Sequence, residues 1–106
     1  MANKYHAKRT ALDGINFHSK GEAKRYSELK LLEAAGVISE LRTQVRFPLT
    51  AASAKIGDYV ADFTYAENGV HITEDFKGPE TALFRWKRKH LLAEWGIELR
   101  ITKARK

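Results

Sequence analysis

The chain has 106 residues, a formal net charge of +6 and no cysteine. This length allows one modest core, and the apolar fraction of 43% is typical of a folded domain rather than a disordered chain. The composition excludes disulfides and thiolate chemistry, no apolar run is long enough for a membrane span, and the polar, basic first ten residues lack the apolar segment of a signal peptide, so we expect a cytoplasmic protein.

Residues 1–17 are predicted to be a basic N-terminal arm, with a turn signal at Asp13-Gly14. Ser19 and Glu22 have the spacing of a capping box, which predicts the start of a helix. The helix is expected to end just before Gly36, since glycine suits the left-handed conformation at a helix end.

Alternating apolar positions predict a strand over roughly 38–47 that ends at Pro48. The small and polar residues 50–56 indicate a loop. Two further runs with a period of two, 58–65 and 70–77, predict a pair of adjacent strands.

Asn68-Gly69, between those runs, favours a two-residue type I′ turn. Such a turn sets Asp62 opposite Asp75 on one face, and Lys77 points to the same face. Two opposed carboxylates repel each other, so a divalent cation, a shared proton or the lysine must offset the repulsion. In the alternative interpretation these charges lie on a solvent-facing strand surface, and a four-residue loop would set Asp62 opposite Thr73 instead.

A second helix is predicted over 81–95, ended by Gly96, with a last strand over 97–102. The order is αβββαβ. We therefore expect one domain over residues 1–106 of the mixed α/β (α+β) class, with a central mixed sheet flanked by helices.

Charge is distributed unevenly along the chain. Between residues 56 and 84 carboxylates predominate, and Lys77 is the single lysine or arginine. An acidic centre with basic ends suits a metal site that cuts phosphodiesters, because carboxylates hold the cation and cations hold the phosphates. The alternative for the basic side chains is a solvated surface. The residues expected to contact DNA are Lys4, Lys8, Arg9, Arg85, Lys87, Arg88 and Lys89.

Glu22 falls within the apolar stripe of the first helix, which consists of Ala23, Tyr26, Leu29 and Leu32. A carboxylate on a packed face is costly unless it finds a partner. Glu22 is therefore expected either to cap the helix near Ser19 or to reach the metal site, and not to fill both roles at once.

Asp62 followed by Asp75-Phe76-Lys77, on adjacent strands after a helix bearing Glu22, resembles the PD-(D/E)XK nuclease superfamily, whose core has the same αβββαβ order. Ala61 stands where the superfamily name implies proline. The chain is also similar to a family of small phage and prophage proteins, through the segments Lys4-Tyr5-His6, Phe17-His18-Ser19, Glu22-Ala23, Gln44, Tyr59-Val60-Ala61-Asp62-Phe63 and Glu74-Asp75-Phe76-Lys77-Gly78.

This resemblance implies a restriction-endonuclease-like core in which Asp62, Asp75 and the Phe76 carbonyl bind Mg²⁺ or Mn²⁺, with Glu22 as a further ligand. It implies that Lys77 orients the attacking water and stabilises charge on the phosphate, although a structural lysine is the alternative. The implied activity is a metal-dependent endodeoxyribonuclease. By analogy with small phage members, we expect a homodimer that cuts branched DNA, like a Holliday junction resolvase, in phage DNA recombination or processing.

Trp86 lies on the second helix, away from the apolar face formed by Phe84, Leu91, Leu92 and Trp95. It is expected either to be covered by the N-terminal arm or to form a homodimer contact. Two rival functions are a nucleic-acid-binding protein on a nuclease fold that does not cut, and a phage structural or regulatory protein whose binding is indifferent to divalent metal.

Overall fold

A computed structural model describes residues 10–103 of the chain. The predicted αβββαβ order is confirmed, and a short hairpin precedes it. The elements in chain order are β1 (Thr10–Leu12), β2 (Ile15–Phe17), α1 (Lys20–Ala34), β3 (Ile38–Ala51), β4 (Ala54–Glu67), β5 (Val70–Lys77), α2 (Ala82–Trp95) and β6 (Arg100–Lys103).

The central sheet has the strand order β3-β4-β5-β6, with two antiparallel pairings followed by a parallel one. The helix α2 supplies the crossover that the parallel pairing of β5 and β6 requires. The sheet is mixed and flanked by helices, as predicted. No helix within residues 10–103 is both long and apolar enough to cross a membrane.

The two helices pack on opposite faces of the sheet. The Phe76 ring lies against Gly21 of α1, so closely that a Cβ on Gly21 would be 2.5 Å from the ring. The next residue, Lys77, places its ammonium 4.5 Å from the centroid of the Phe84 ring in α2. Because successive side chains on a strand point to opposite faces, α1 and α2 cover different faces of β5.

Three of the four helix ends have the predicted signals, and the start of α2 has a cap at Thr81 that was not predicted. Ser19 Oγ accepts a hydrogen bond from the Glu22 N–H at 3.1 Å and caps α1. Thr81 Oγ1 caps α2 in the same way. Gly36 and Gly96 follow the two helices with φ values of 79° and 69°, the left-handed conformation expected of them.

The hairpin between β4 and β5 has the predicted register. Asn68 and Gly69 form the turn, with φ values of 52° and 76°. The observed pairs are Glu67↔Val70, Ala66↔His71, Tyr65↔Ile72, Thr64↔Thr73 and Phe63↔Glu74.

The prediction that the first strand ends at Pro48 is wrong. β3 continues through Pro48 to Ala51 and turns at Ala52 and Ser53 into β4, so the predicted loop is the tip of a second long hairpin. Proline is tolerated there because β3 is an edge strand. The turn carried no sequence signal, since Ala52 and Ser53 adopt positive φ without glycine or asparagine.

Both ends of the described chain also differ from the prediction. The supposed arm contains the hairpin β1-β2, whose turn is the predicted Asp13-Gly14. Residues 1–9 lie outside the described part. At the other end, the predicted strand over 97–102 is shorter, because the sheet pairing begins at Arg100; Leu99 is buried in the core ahead of it.

Buried apolar residues form two clusters, one beside each helix. The cluster beside α1 contains Phe17, Ala23, Tyr26, Leu29, Ile38, Phe63 and Tyr65. The cluster beside α2 contains Phe47, Leu49, Tyr59, Ala61, Phe84, Leu91 and Leu99.

The alternation of side chains between the two faces of the sheet is interrupted in β4 at Asp62, and we call this interruption the change of facing. Tyr59 and Phe63 would share a face in a regular strand, yet they belong to different clusters. The opposite position in β3 is Gln44, which has a left-handed φ of 52° and lies between the regular pairs on either side. Asp62 therefore occupies an irregular position from which side chains of both faces are within reach.

Candidate active site

The pairing between β4 and β5 is continued beyond its last backbone pair by two carboxylates. Asp75 Oδ1 accepts a hydrogen bond from the Asp62 N–H at 2.7 Å, and Asp62 Oδ2 accepts one from the Phe76 N–H at 2.8 Å. Asp75 is fully buried. The two aspartates thus lie side by side where the strands part, and backbone N–H groups offset part of their mutual repulsion.

Tyr59 is a member of the site that the sequence did not reveal. Its buried hydroxyl donates a hydrogen bond to Asp75 Oδ2. Burial, together with the negative charge of Asp75, raises the pKa of Tyr59 well above its usual value, so the hydroxyl keeps its proton and fixes the orientation of the carboxylate. No spacing rule relates Tyr59 to Asp75, because the contact depends on the change of facing in β4.

Glu22 has the capping role that was one of its two predicted alternatives, while its role at a metal site stays a prediction. Its Oε1 accepts a hydrogen bond from the His18 N–H at 2.8 Å, just ahead of α1. Its Oε2 is buried and has no hydrogen-bond partner among residues 10–103. Burial raises the pKa of Asp62 to about 7, and the next cause is the adjacent Glu22 carboxyl. The two carboxyls are therefore neighbours, and their negative charges repel each other.

Lys77 completes the group. Burial, followed by the charge of Asp62, raises the pKa of Asp75, and the Lys77 ammonium acts in the opposite direction on both aspartates. The residues brought together are thus the predicted set of Glu22, Asp62, Asp75 and Lys77, contributed by α1, β4 and β5.

The donor chemistry of this group suits a hard divalent cation. Carboxylate oxygens are the preferred ligands of Mg²⁺ and Mn²⁺, and Glu22 Oε2 is a buried acceptor to which no described residue donates a hydrogen bond. Within residues 10–103, however, no set of three His, Cys, Asp or Glu side chains is already spaced as a cation cage. Both Asp75 oxygens are held by Tyr59 and the Asp62 N–H, so ion binding requires adjustment of these side chains.

We expect Asp62→Asn to stabilise the metal-free protein by about 1–2 kcal/mol at pH 8. The folded pKa of Asp62, about 7, exceeds its ordinary value of 3.8. The contribution of the neutral Asp62 carboxyl to the free energy of unfolding is therefore fully present below pH 3.8. It is lost as the pH rises through 7, because Asp62 must then ionise in its buried position. Asparagine removes this loss, and its amide can donate to Glu22 Oε2. Urea unfolding in EDTA at pH 5 and pH 8 measures the difference.

The control for this experiment is Asp58→Asn on the same strand, because the Asp58 side chain is partly exposed and forms surface ion pairs with Arg46 and Lys55. Its effect is expected to be within about 0.5 kcal/mol at both pH values. An Asp62→Asn protein that is less stable than the wild type at pH 8 would contradict the expectation.

The basic residues of α2 have different surroundings. Arg85 and Lys89 are exposed. Lys87 Nζ donates to the Asp58 carbonyl at 3.0 Å, so it lies against the backbone of β4. Arg88 lies near enough to lower the pKa of Tyr59, which places its charge beside the site. The arm residues expected to contact DNA, Lys4, Lys8 and Arg9, lie outside the described residues.

Comparison with known proteins adds a family. The model of a family described as "Protein of unknown function (DUF1064)" matches residues 2–106. No curated protein and no solved structure matches the chain.

Proposed function

The chain belongs to the DUF1064 family, and we propose that it is a Mg²⁺- or Mn²⁺-dependent endonuclease that hydrolyses phosphodiester bonds of DNA. The observation that carries the proposal is the buried oxygen of Glu22, which has no hydrogen-bond partner in the described part of the chain and lies beside Asp62, itself next to Asp75 and Lys77. Clusters of buried carboxylates with perturbed pKa values are typical of functional sites. The resemblance to the PD-(D/E)XK superfamily agrees with this assignment of residues.

Each residue has a role that follows from its surroundings. Glu22, Asp62, Asp75 and the Phe76 carbonyl would hold the ion, which when bound lowers the pKa of a water and neutralises charge at phosphorus. Tyr59 orients Asp75 by its hydrogen bond. The Lys77 ammonium lies over the Phe84 ring, which limits its movement. In this position it would donate a hydrogen bond to the attacking water or to a phosphate oxygen.

We propose branched DNA as the substrate and a homodimer as the active species. Trp86 and Leu83 of α2 are 77% and 62% exposed, and none of the described residues covers the tryptophan. Large exposed apolar side chains on one helix favour an interface with a second copy. A symmetric dimer would present two sites to the two strands that a four-way junction resolvase cuts, in phage DNA recombination or processing.

The test is cleavage of labelled four-way junction, flap, linear duplex and single-stranded DNA in Mg²⁺, Mn²⁺ or EDTA. We expect cleavage that requires the divalent ion and is fastest on the junction. Equal rates on junction and duplex would contradict the resolvase assignment while keeping the nuclease.

The second candidate function is a DNA-binding protein on a nuclease fold that does not cut. It is favoured by the engagement of both Asp75 oxygens with Tyr59 and the Asp62 N–H. In that case the protein binds DNA equally well in EDTA and in Mn²⁺, and no substrate of the panel is cleaved.

A further inference from the structure

A basic cleft of about 450 Å³ runs between the first turns of α1 and the ends of β5 and β6. The residues that line it include four cations and one carboxylate, Glu28. The cations are Lys20, Lys24, Arg25 and Lys103, and Gly21 and Phe76 are also part of the lining. We call it the α1–β6 cleft. None of its lysines was among the residues expected to bind DNA.

The charge of the cleft comes mainly from its lysines. Arg25 is bonded to Glu74 at 2.6 Å and to Glu28 at 3.2 Å, so its charge is largely compensated within the protein. Lys20, Lys24 and Lys103 are exposed. The cleft is therefore a positive groove whose cations face solvent, and such grooves attract a polyanion.

An aromatic wall makes the cleft suited to bases as well as phosphates. The Phe76 ring rests on Gly21 and remains partly exposed. Aromatic rings in positively charged grooves stack with the bases of single-stranded nucleic acid, whereas paired bases in a duplex do not offer their faces. A groove that has both features favours a single strand.

The cleft adjoins the candidate active site. Gly21 directly precedes Glu22. Phe76 lies between Asp75 and Lys77, and while its ring lines the cleft, its N–H bonds Asp62. The cleft therefore borders the site on the side of Glu22 and the Phe76 backbone, whereas Asp75 and Lys77 point to the other face of β5.

We propose that the α1–β6 cleft binds a single-stranded segment of DNA, with Lys20, Lys24 and Lys103 on its phosphates and the Phe76 ring stacked on a base. The placement of this segment next to the bond to be cut rests on the proposed function. The binding itself does not. Branched DNA substrates with unpaired nucleotides would supply such a segment.

The test compares Lys20→Ala/Lys24→Ala with a matched control, Lys30→Ala/Lys55→Ala. Lys30 and Lys55 are lysines outside the cleft whose ion pairs with Glu33 and Asp58 lie at the surface, and the control loses the same charge. Affinity for a labelled oligothymidine and for a duplex of equal length is measured by fluorescence anisotropy in EDTA over a range of salt concentrations.

We expect the cleft variant to bind the oligothymidine roughly tenfold more weakly, with the slope of log K against log salt smaller by about 1.4, and the control to change less than about twofold. Phe76→Leu is expected to weaken single-strand binding roughly fivefold or more and to leave duplex binding unchanged. Thermal unfolding of each variant confirms that it is folded.

Equal losses in the cleft variant and the control would overturn the cleft. If Phe76→Leu weakened binding of the oligothymidine and of the duplex equally, the assignment of the cleft to single strands would be overturned. If the wild type cleaves none of the DNA panel but its binding depends on Lys20 and Lys24, the nuclease fails and the cleft stands. If the wild type cleaves DNA but its binding does not depend on these lysines, the cleft fails and the nuclease stands.

Discussion

The Lys77→Ala variant is expected to remain folded and to cleave DNA about 10²–10³-fold more slowly than the wild type. In the proposed reaction the Lys77 ammonium supplies charge and a hydrogen bond where negative charge develops, next to Asp62 and Asp75. Lys77 is the single lysine or arginine between residues 56 and 84, and Arg88, another cation beside the site, acts on Tyr59 instead.

The stability of this variant distinguishes a catalytic lysine from a structural one. The contact with the Phe84 ring is worth about 0.5–1 kcal/mol, so its loss lowers the melting temperature only slightly.

Asp75→Asn keeps the shape of the side chain and is expected to reduce cleavage by at least about 10³-fold through loss of the ion. Single-turnover cleavage and thermal unfolding are the two measurements.

Lys55→Ala is the control, because Lys55 is an exposed lysine of β4 that pairs with Asp58 at the surface. It is expected to cleave at the wild-type rate. A Lys77→Ala protein that also cleaves at that rate would remove the lysine from the mechanism. A large fall in its melting temperature would assign Lys77 a structural role instead.

Local chemistry made the elements around the site predictable. Ser19 marks the start of α1 because its hydroxyl accepts a hydrogen bond from a free backbone N–H of the first turn. Gly36 and Gly96 mark helix ends because glycine, which has no side chain, adopts the left-handed conformation there at little cost. Asn68-Gly69 fixes the register of β4 and β5 because few other pairs accept the turn. That register predicts Asp62 beside Asp75, and the hydrogen bond from the Asp62 N–H to Asp75 Oδ1 joins them there.

The features that the sequence could not reveal depend on contacts distant in the chain. Gln44 adopts a left-handed φ without any local reason, and the facing of β4 changes opposite it. Tyr59 reaches Asp75 only because of that change. Glu74, next to Asp75 in the sequence, gave no sign that it would be fully buried, since its partner Arg25 lies on another element.

The pair of Arg25 and Glu74 connects the helix that carries Glu22 to the strand that carries Asp75. Arg25 donates two hydrogen bonds to Glu74, from Nε at 2.6 Å and from Nη2 at 2.9 Å. Tyr65 and Thr102 donate two more from β4 and β6. One buried carboxylate is thus held by groups from three elements.

We expect Arg25→Ala to destabilise the protein by about 3 kcal/mol at pH 7, the lower end for breaking a buried ion pair, since the arginine side chain is 20% exposed. The alanine leaves a charged Glu74 in a fully buried position. Urea unfolding measures the loss. Lys30→Ala on the same helix is the control, and its surface pair with Glu33 is expected to contribute less than about 0.5 kcal/mol.

The pH dependence identifies Glu74 as the cause. Burial alone would raise the pKa of Glu74, but the hydrogen bonds from Arg25, Tyr65 and Thr102 hold it below 4.5. In the wild type the ionised, hydrogen-bonded Glu74 therefore adds to the free energy of unfolding above pH 4.5. This addition is lost as the pH falls through the lower pKa that Glu74 has in the folded protein. In Arg25→Ala the effect of burial prevails, so the pKa of Glu74 rises. The variant is then stabilised as the pH falls and Glu74 takes up a proton, so the difference in unfolding free energy between variant and wild type should become smaller toward pH 5.

Adding Glu74→Gln to Arg25→Ala should remove that pH dependence and recover part of the loss, because a neutral amide is less costly to bury. A deficit that stays constant from pH 8 to pH 5 would mean that lost packing by the arginine, and not the buried charge, causes the destabilisation.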